Sequence, residues 1–185
     1  VPISTSFNLL KYFTVSPSLN YDEIWYFKKL SYNYNEIENG IEIDTTNSFQ
    51  RAWSYSSAFR LSTRIYGTVF FKKGKIKAIR HVISPEISMS FSPDFTKPKF
   101  GYYENVQINN EGDTKLLSKY ENFLFGSPRI GSSASMNFYI GNNLEIKVID
   151  KNDTISGTRK IKIFDNLAFT SSYNFLADSF RLAPI

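Results

Sequence analysis

The ionisable side chains that could do chemistry are scattered along this chain and form no recognisable catalytic set. The 185 residues include one histidine, His81, and no cysteine, so a Ser-His-Asp triad, a Cys-His pair and a cysteine-based metal site all lack members. Carboxylates such as Asp22, Glu23 and Glu86 fall within extended patterns, where we interpret them as lumen or loop charges. The segment GKIKAIRH lacks the glycine spacing and the following helix of a phosphate loop. The sequence therefore predicts no enzyme, no cofactor and no metal site.

Basic residues outnumber acidic ones and give a formal net charge of +5. They are spread along the chain and form no cluster on a helical face, so nucleic acid is not expected as a partner. Six basic side chains instead share the polar side of a two-residue alternation: Arg60, Arg64, Arg80, Lys147, Lys160 and Lys162.

Period-two alternation is the pattern that must position these side chains. It is strict between Ser135 and Asp150, where Met136, Phe138 and Ile140 alternate with polar residues. Such alternation is typical of β-strands with one apolar face. The pattern recurs through the chain and predicts an all-β fold, an antiparallel up-and-down meander of about seven long strands.

The connections between these strands differ in length, and together with the strands they are assigned to a single domain that spans residues 1–185. Short turns are expected near 10–12, 72–75 and 126–131, and long polar loops at 29–47, 93–118 and 150–157. Short turns at one end and long loops at the other are typical of outer-membrane barrels.

Strand length favours a membrane barrel over a soluble sandwich. Several alternations run well past ten residues, whereas globular strands average about 5–6 residues. A tilted strand needs about 9–11 residues to cross a bilayer. We therefore interpret the domain as a transmembrane β-barrel, with the apolar residues towards lipid and the polar residues towards the lumen. A soluble sandwich with a solvated polar face stays open as an alternative.

One polar residue interrupts the apolar side of the Ser135–Asp150 pattern. If Ile149 lies opposite Thr158 in a hairpin, Asn142 faces Asp165, and both are polar exceptions on the apolar side. These two residues are then either unrelated residues at the wet edge of the apolar band or a polar notch on the outward face, at the outer interface or against another protein.

Three blocks of the sequence resemble a known family. They are PISTSFNLLKYFTVSPSLNYDEIWYF, IRHVISPEISMSFSPDFTKPKFGYY and GNNLEIKVIDKNDTISGTRKIKIFDNLAFTSSYNFLADSF. Together they resemble the C-terminal barrel of the LptD (OstA/Imp) family of lipopolysaccharide-assembly proteins, in its divergent branch.

The resemblance implies a segment of an outer-membrane translocon that inserts lipopolysaccharide into the outer leaflet. It also implies that the chain is part of a large, multi-pass transmembrane β-barrel in the Gram-negative cell outer membrane. An LptE-like lipoprotein plug is an expected partner, as is a periplasmic Lpt bridge reached through an N-terminal domain that is missing here. Membrane lipid and lipopolysaccharide are the other expected partners. The six basic residues named above are then either lumen-facing contacts for the anionic groups of lipopolysaccharide or ordinary charges of a hydrated lumen. The alternatives are a complete small outer-membrane barrel with an adhesion or structural role, and a soluble β-sandwich binding module.

Overall fold

The computed structural model of this chain describes residues 1–150 and 157–185. The described residues form ten β-strands: β1 Pro2–Ser4, β2 Phe7–Leu9, β3 Phe13–Asn35, β4 Gly40–Thr63, β5 Ile65–Phe70, β6 Ile76–Ser92, β7 Tyr103–Gln107, β8 Thr114–Ser118, β9 Ser133–Ile149 and β10 Thr158–Asn174.

Eight of these strands form one sheet in the order β1, β3, β4, β6, β9 and β10, with β2 paired to β3 and β5 paired to β6. The long strands follow one another in chain order and run antiparallel, which confirms the predicted all-β meander. The order ends at β1 on one side and at β10 on the other, so the sheet is open within the described residues.

Strand length exceeds the expectation at the start of the chain. β3 has 23 residues and β4 has 24, because both continue through 29–47, where we expected a long loop. Only a tight turn separates them: the Asn35 side chain accepts hydrogen bonds from the backbone N–H groups of Ile37 and Glu38. Asn39 adopts a positive φ of 48°, which asparagine tolerates better than most residues.

The segment between β6 and β9 also differs from the sequence interpretation. The expected loop 93–118 contains the β7–β8 hairpin, in which Tyr103 pairs with Ser118. The weak strand expected near 120–125 is a run of turns, so 126–131 is part of the longer connection between β8 and β9 and not a short turn of its own. The expected loop 150–157 falls almost wholly outside the described residues.

The chain divides into two compact units, and unit 1 comprises Val1–Ile3, Leu19–Ser57 and Phe91–Ser133. Its core is largely aromatic and consists of Tyr26, Ala52, Phe95, Tyr102, Tyr103 and Tyr120. Tyr26 and Tyr120 stack with ring centroids 4.3 Å apart. Aromatic rings bury large areas on a strand surface, and here they bind the segment after β6 to β3 and β4.

Tyrosine hydroxyl groups satisfy backbone polar groups around this aromatic core. The Tyr32 hydroxyl donates to the Ser118 carbonyl at 2.6 Å, and the Tyr26 hydroxyl donates to the Gly126 carbonyl. Such bonds let irregular backbone pack against a sheet without orphaned polar groups. They explain why the aromatic content of 17% includes so many tyrosines.

Unit 2 comprises Ser4–Ser18, Ala58–Ser90 and Ala134–Ile185. Its β9–β10 hairpin follows the predicted register at first: Ile149 pairs with Thr158 and Glu145 pairs with Lys162. The ladder then shifts twice, between Lys162 and Phe164 and between Phe164 and Leu167.

The two register shifts overturn the predicted contact between Asn142 and Asp165, because Asn142 pairs with Leu167. Asp165 instead accepts hydrogen bonds from the Asn143 side chain at 3.1 Å and from the Lys162 ammonium at 2.9 Å. A β-bulge re-aims side chains, and a carboxylate on an apolar face is costly. The irregularity therefore lets Asp165 find polar partners.

Candidate functional site

The polar side of the sheet in unit 2 carries two adjoining cavities, and we call this surface the polar face. The larger cavity, of about 890 Å³, is lined by residues that include Lys11, Arg64, Tyr66, Glu86 and Tyr139. The smaller, of about 540 Å³, is lined mainly by short polar side chains together with Arg60, Phe59, Pro17 and Met89. β3, β4, β5, β6 and β9 each contribute through the same alternation that the sequence shows.

Two of the three predicted arginines on this face have partners within it. The Arg60 Nε lies 3.2 Å from the Glu86 carboxylate. The Arg80 guanidinium lies over the Tyr66 ring, 5.7 Å from its centroid. A cation above an aromatic face keeps its charge and its hydrogen-bonding capacity, so Arg80 can still meet an anion.

Arg64 is the predicted arginine with the most available guanidinium. It occupies the one-residue break between β4 and β5, is exposed, and makes no ion pair within the part of the chain that the structure describes. The larger cavity holds two cations, Lys11 and Arg64, but one carboxylate, Glu86, which already pairs with Arg60. The cavity therefore has an excess of positive charge, and an arginine fork fits phosphate or carboxylate groups.

The three predicted lysines lie on β9 and β10. Lys147 pairs directly with Lys160, an arrangement of like charges that is unfavourable unless water or an anion screens it. Lys162 pairs with Glu145 and binds the Asp165 carboxylate. Lys162 is therefore largely neutralised, whereas Lys147 and Lys160 make no ion pair within residues 1–150 and 157–185.

Asn142 contacts His81 instead of Asp165. The His81 Nε2 and the Asn142 Oδ1 are 3.2 Å apart. The Asn142 Nδ2 donates to the Leu167 carbonyl at 3.2 Å, so its Oδ1 accepts from His81, and the imidazole carries its proton on Nε2. The polar notch on the apolar side is thus a His81–Asn142 pair.

The sequence signal for this pair was present but incomplete. His81 lies on the apolar side of β6, as Asn142 does on β9, so both residues break the same face. Their pairing depends on the register between β6 and β9, which are separated by the long aromatic segment 93–132. No turn rule fixes a register across such a segment.

The described residues show no group of three or more His, Cys, Asp and Glu side chains that could hold a metal ion. In the same part of the chain, no α-helix is long and apolar enough to span a membrane.

Fold and polar face together define a class: an all-β protein whose long antiparallel strands carry a basic polar surface. The family model described as LptD protein matches residues 1–185, the whole chain. The chain therefore belongs to the LptD family, an outer-membrane component of lipopolysaccharide transport that is not enzymatic. Membership indicates a role in lipopolysaccharide transport and assembly at the outer membrane. No curated protein and no solved structure matches the chain.

Proposed function

We propose that this chain forms part of the wall of a transmembrane β-barrel that inserts lipopolysaccharide into the outer leaflet. The observation that carries the proposal is the exposure of large apolar side chains in unit 2, where the only buried hydrophobic residues among those described are Val15 and Ala78. Ile65, Val69 and Phe169 are each about half exposed, at 54%, 57% and 48%. A sheet that leaves so much apolar surface uncovered needs lipid or another protein against it.

Neighbouring side chains on β9 and β10 support two distinct faces. Ile140 pairs with Phe169 and Ile146 pairs with Ile161, whereas Asn137 pairs with Ser172. β6, β9 and β10 each have 17 residues, more than the roughly 9–11 that a tilted strand needs to cross a bilayer. The strands are long enough for a lipid-facing band with wet ends.

The polar face then lines the lumen and meets the substrate. Lipopolysaccharide carries phosphate and carboxylate groups, and Arg64, Arg80, Lys147 and Lys160 are the predicted contacts that no acidic side chain neutralises within the described residues. We assign Arg60 and Lys162 weaker roles, because each is already paired with a carboxylate. An LptE-like lipoprotein plug and a periplasmic Lpt bridge are the proposed protein partners, on the basis of family membership.

A pair of substitutions on β9 tests the assignment of faces. Ile140→Arg places a charge on the apolar face and should reduce the free energy of unfolding by roughly 2–4 kcal/mol if the residue lies near the bilayer midplane. Asn137→Arg, on the polar face of the same strand, is the matched control and should cost much less. The measurement is denaturant unfolding in lipid vesicles, and equal costs for both variants contradict the proposal.

Contact with the substrate is tested separately by a photo-crosslinking residue at position 64 in cells. We expect lipopolysaccharide adducts that disappear when the supply from the inner membrane is stopped. The same probe at Ile140 contacts lipid that already resides in the membrane, so any adducts that it forms should persist when the supply is stopped. Adducts at position 64 that do not depend on the supply would contradict a place on the transport path.

A further inference from the structure

The turn between β5 and β6 gathers aromatic and basic side chains that the proposed transport path does not use. Phe70 and Phe71 are 79% and 41% exposed. They are followed by Lys72, Lys73, Lys75 and Lys77, of which the first three are exposed and the last is half-buried. We call residues 70–77 the basic turn.

The basic turn is an ordered part of unit 2. The Phe71 N–H donates to the Lys77 carbonyl at 2.9 Å and so closes the turn. Gly74 has a φ of 93°, a conformation that glycine adopts without strain. The Ile149 N–H donates to the Lys75 carbonyl at 2.9 Å, which anchors the turn to the end of β9. The four lysines are therefore held close together.

Among the described residues, no carboxylate forms an ion pair with these four lysines. The sequence contains no Asp or Glu between Thr45 and Pro85. Asp150 follows the β9 residue that anchors the turn, but its carboxylate pairs with Arg159. Clustered like charges repel one another and favour an external anionic partner.

We propose that the basic turn binds the head groups of anionic phospholipids at the membrane surface, with Phe70 and Phe71 in the interfacial layer. Aromatic residues concentrate at membrane interfaces, and clustered lysines attract anionic lipid. The inference rests on the proposed function, because it needs a sheet inserted in a bilayer. The β5–β6 connection is itself short, and short turns of outer-membrane barrels face the periplasm, so the partner is phospholipid in the leaflet on that side.

The test measures lipid selectivity with the protein reconstituted in phosphatidylcholine bilayers. Spin-labelled phosphatidylglycerol and spin-labelled phosphatidylcholine are compared by electron paramagnetic resonance, which reports the fraction of each lipid held at the protein. We expect phosphatidylglycerol to be preferred by about threefold at low salt, and less as salt rises. Lys72→Gln, Lys73→Gln and Lys75→Gln together should reduce the preference to about one.

A charge-matched control carries Lys28→Gln, Lys97→Gln and Lys115→Gln, three exposed positions in unit 1, and should keep the preference. Absence of a preference in the unsubstituted protein overturns the inference, as does its equal loss in both triple variants. A turn-dependent preference for spin-labelled lipopolysaccharide with none for phosphatidylglycerol also overturns it. Heat-modifiable electrophoretic mobility, measured in parallel, reports whether the protein has inserted as a barrel. If the mobility does not change with heat, the proposed barrel is contradicted. If the protein inserts but shows no lipid selectivity, only the inference about the basic turn is contradicted.

Discussion

At the scale of single residues, Tyr102 shows how a tyrosine holds irregular chain against a strand. Its hydroxyl accepts from the Trp53 N–H at 2.9 Å and donates to the Trp53 carbonyl at 3.0 Å. Tyr102→Phe leaves two backbone groups unpaired and should reduce the free energy of unfolding by about 1–3 kcal/mol. Tyr12→Phe is the control, because Tyr12 is 76% exposed and its hydroxyl has no hydrogen bond among the described residues. Similar denaturant midpoints for the two variants would refute this role.

Asp94 joins the two ends of the segment between β6 and β9, and its protonation should weaken that junction. It accepts from the Thr96 backbone N–H and hydroxyl and from the Gly131 N–H. These bonds, led by the backbone bond from Thr96, hold the pKa of Asp94 below its usual value. A lowered folded-state pKa gives stability that is present above the unfolded pKa of about 3.9 and is lost as pH falls through the folded value.

Asp94→Asn removes the titrating group and should flatten the acid dependence of stability. Thermal unfolding between neutral and acidic pH measures this. Asp178→Asn, which removes an exposed carboxylate, is the control variant. If stability falls with pH at the same slope in the unsubstituted protein and in Asp94→Asn, the protonation of Asp94 does not weaken the junction.

At the scale of elements, the register shifts in β10 can be trapped chemically, because the chain has no cysteine. Opposed residues have Cβ atoms about 4.5–5.5 Å apart, so the double variant Asn142→Cys/Leu167→Cys should cross-link efficiently. Glu145→Cys/Lys162→Cys should cross-link with or without the shifts and serves as the positive control. Efficient cross-linking of Asn142→Cys/Asp165→Cys instead would restore the unshifted register. Non-reducing electrophoresis separates these outcomes.

The two-residue alternation of the sequence was sufficient to predict part of these strands, because it depends on each strand alone. It placed Arg60, Arg64 and Arg80 on polar positions and gave the first pairs of the β9–β10 hairpin, because a strand alternates its faces regardless of its neighbours. It missed the shifts because they depend on hydrogen bonds from Asn143 to Asp165 and from Tyr139 to Asn166. Such contacts leave no periodic trace.

At the scale of the whole molecule, the two units reach stability in different ways. Unit 1 has its own aromatic core, and tyrosine hydroxyls satisfy the backbone groups around it. Both units keep large apolar side chains on their surfaces, such as Phe27 at 70% exposure in unit 1 and Phe70 at 79% in unit 2, but the buried aromatic cluster belongs to unit 1. Hydrophobic burial is the main favourable contribution to folding. We therefore expect unit 2 to be stably folded only when its apolar surface is in contact with lipid.

The same dependence on lipid leads to a prediction about the open edge of the sheet. β10 ends the strand order, and its last residues, 172–174, bond to the backbone at 181–183. The edge that precedes them would leave backbone polar groups unsatisfied in a bilayer, at a cost of several kcal/mol each. In lipid nanodiscs, we expect a further strand to pair with β10, so its amides should exchange with deuterium as slowly as those of β6, which has neighbours on both sides. Mass spectrometry of peptides covering 158–174 and 76–92 compares the two strands directly. Fast exchange along β10 beside a protected β6 would mean that the edge lies outside the hydrocarbon, which would contradict a place for β10 in the barrel wall.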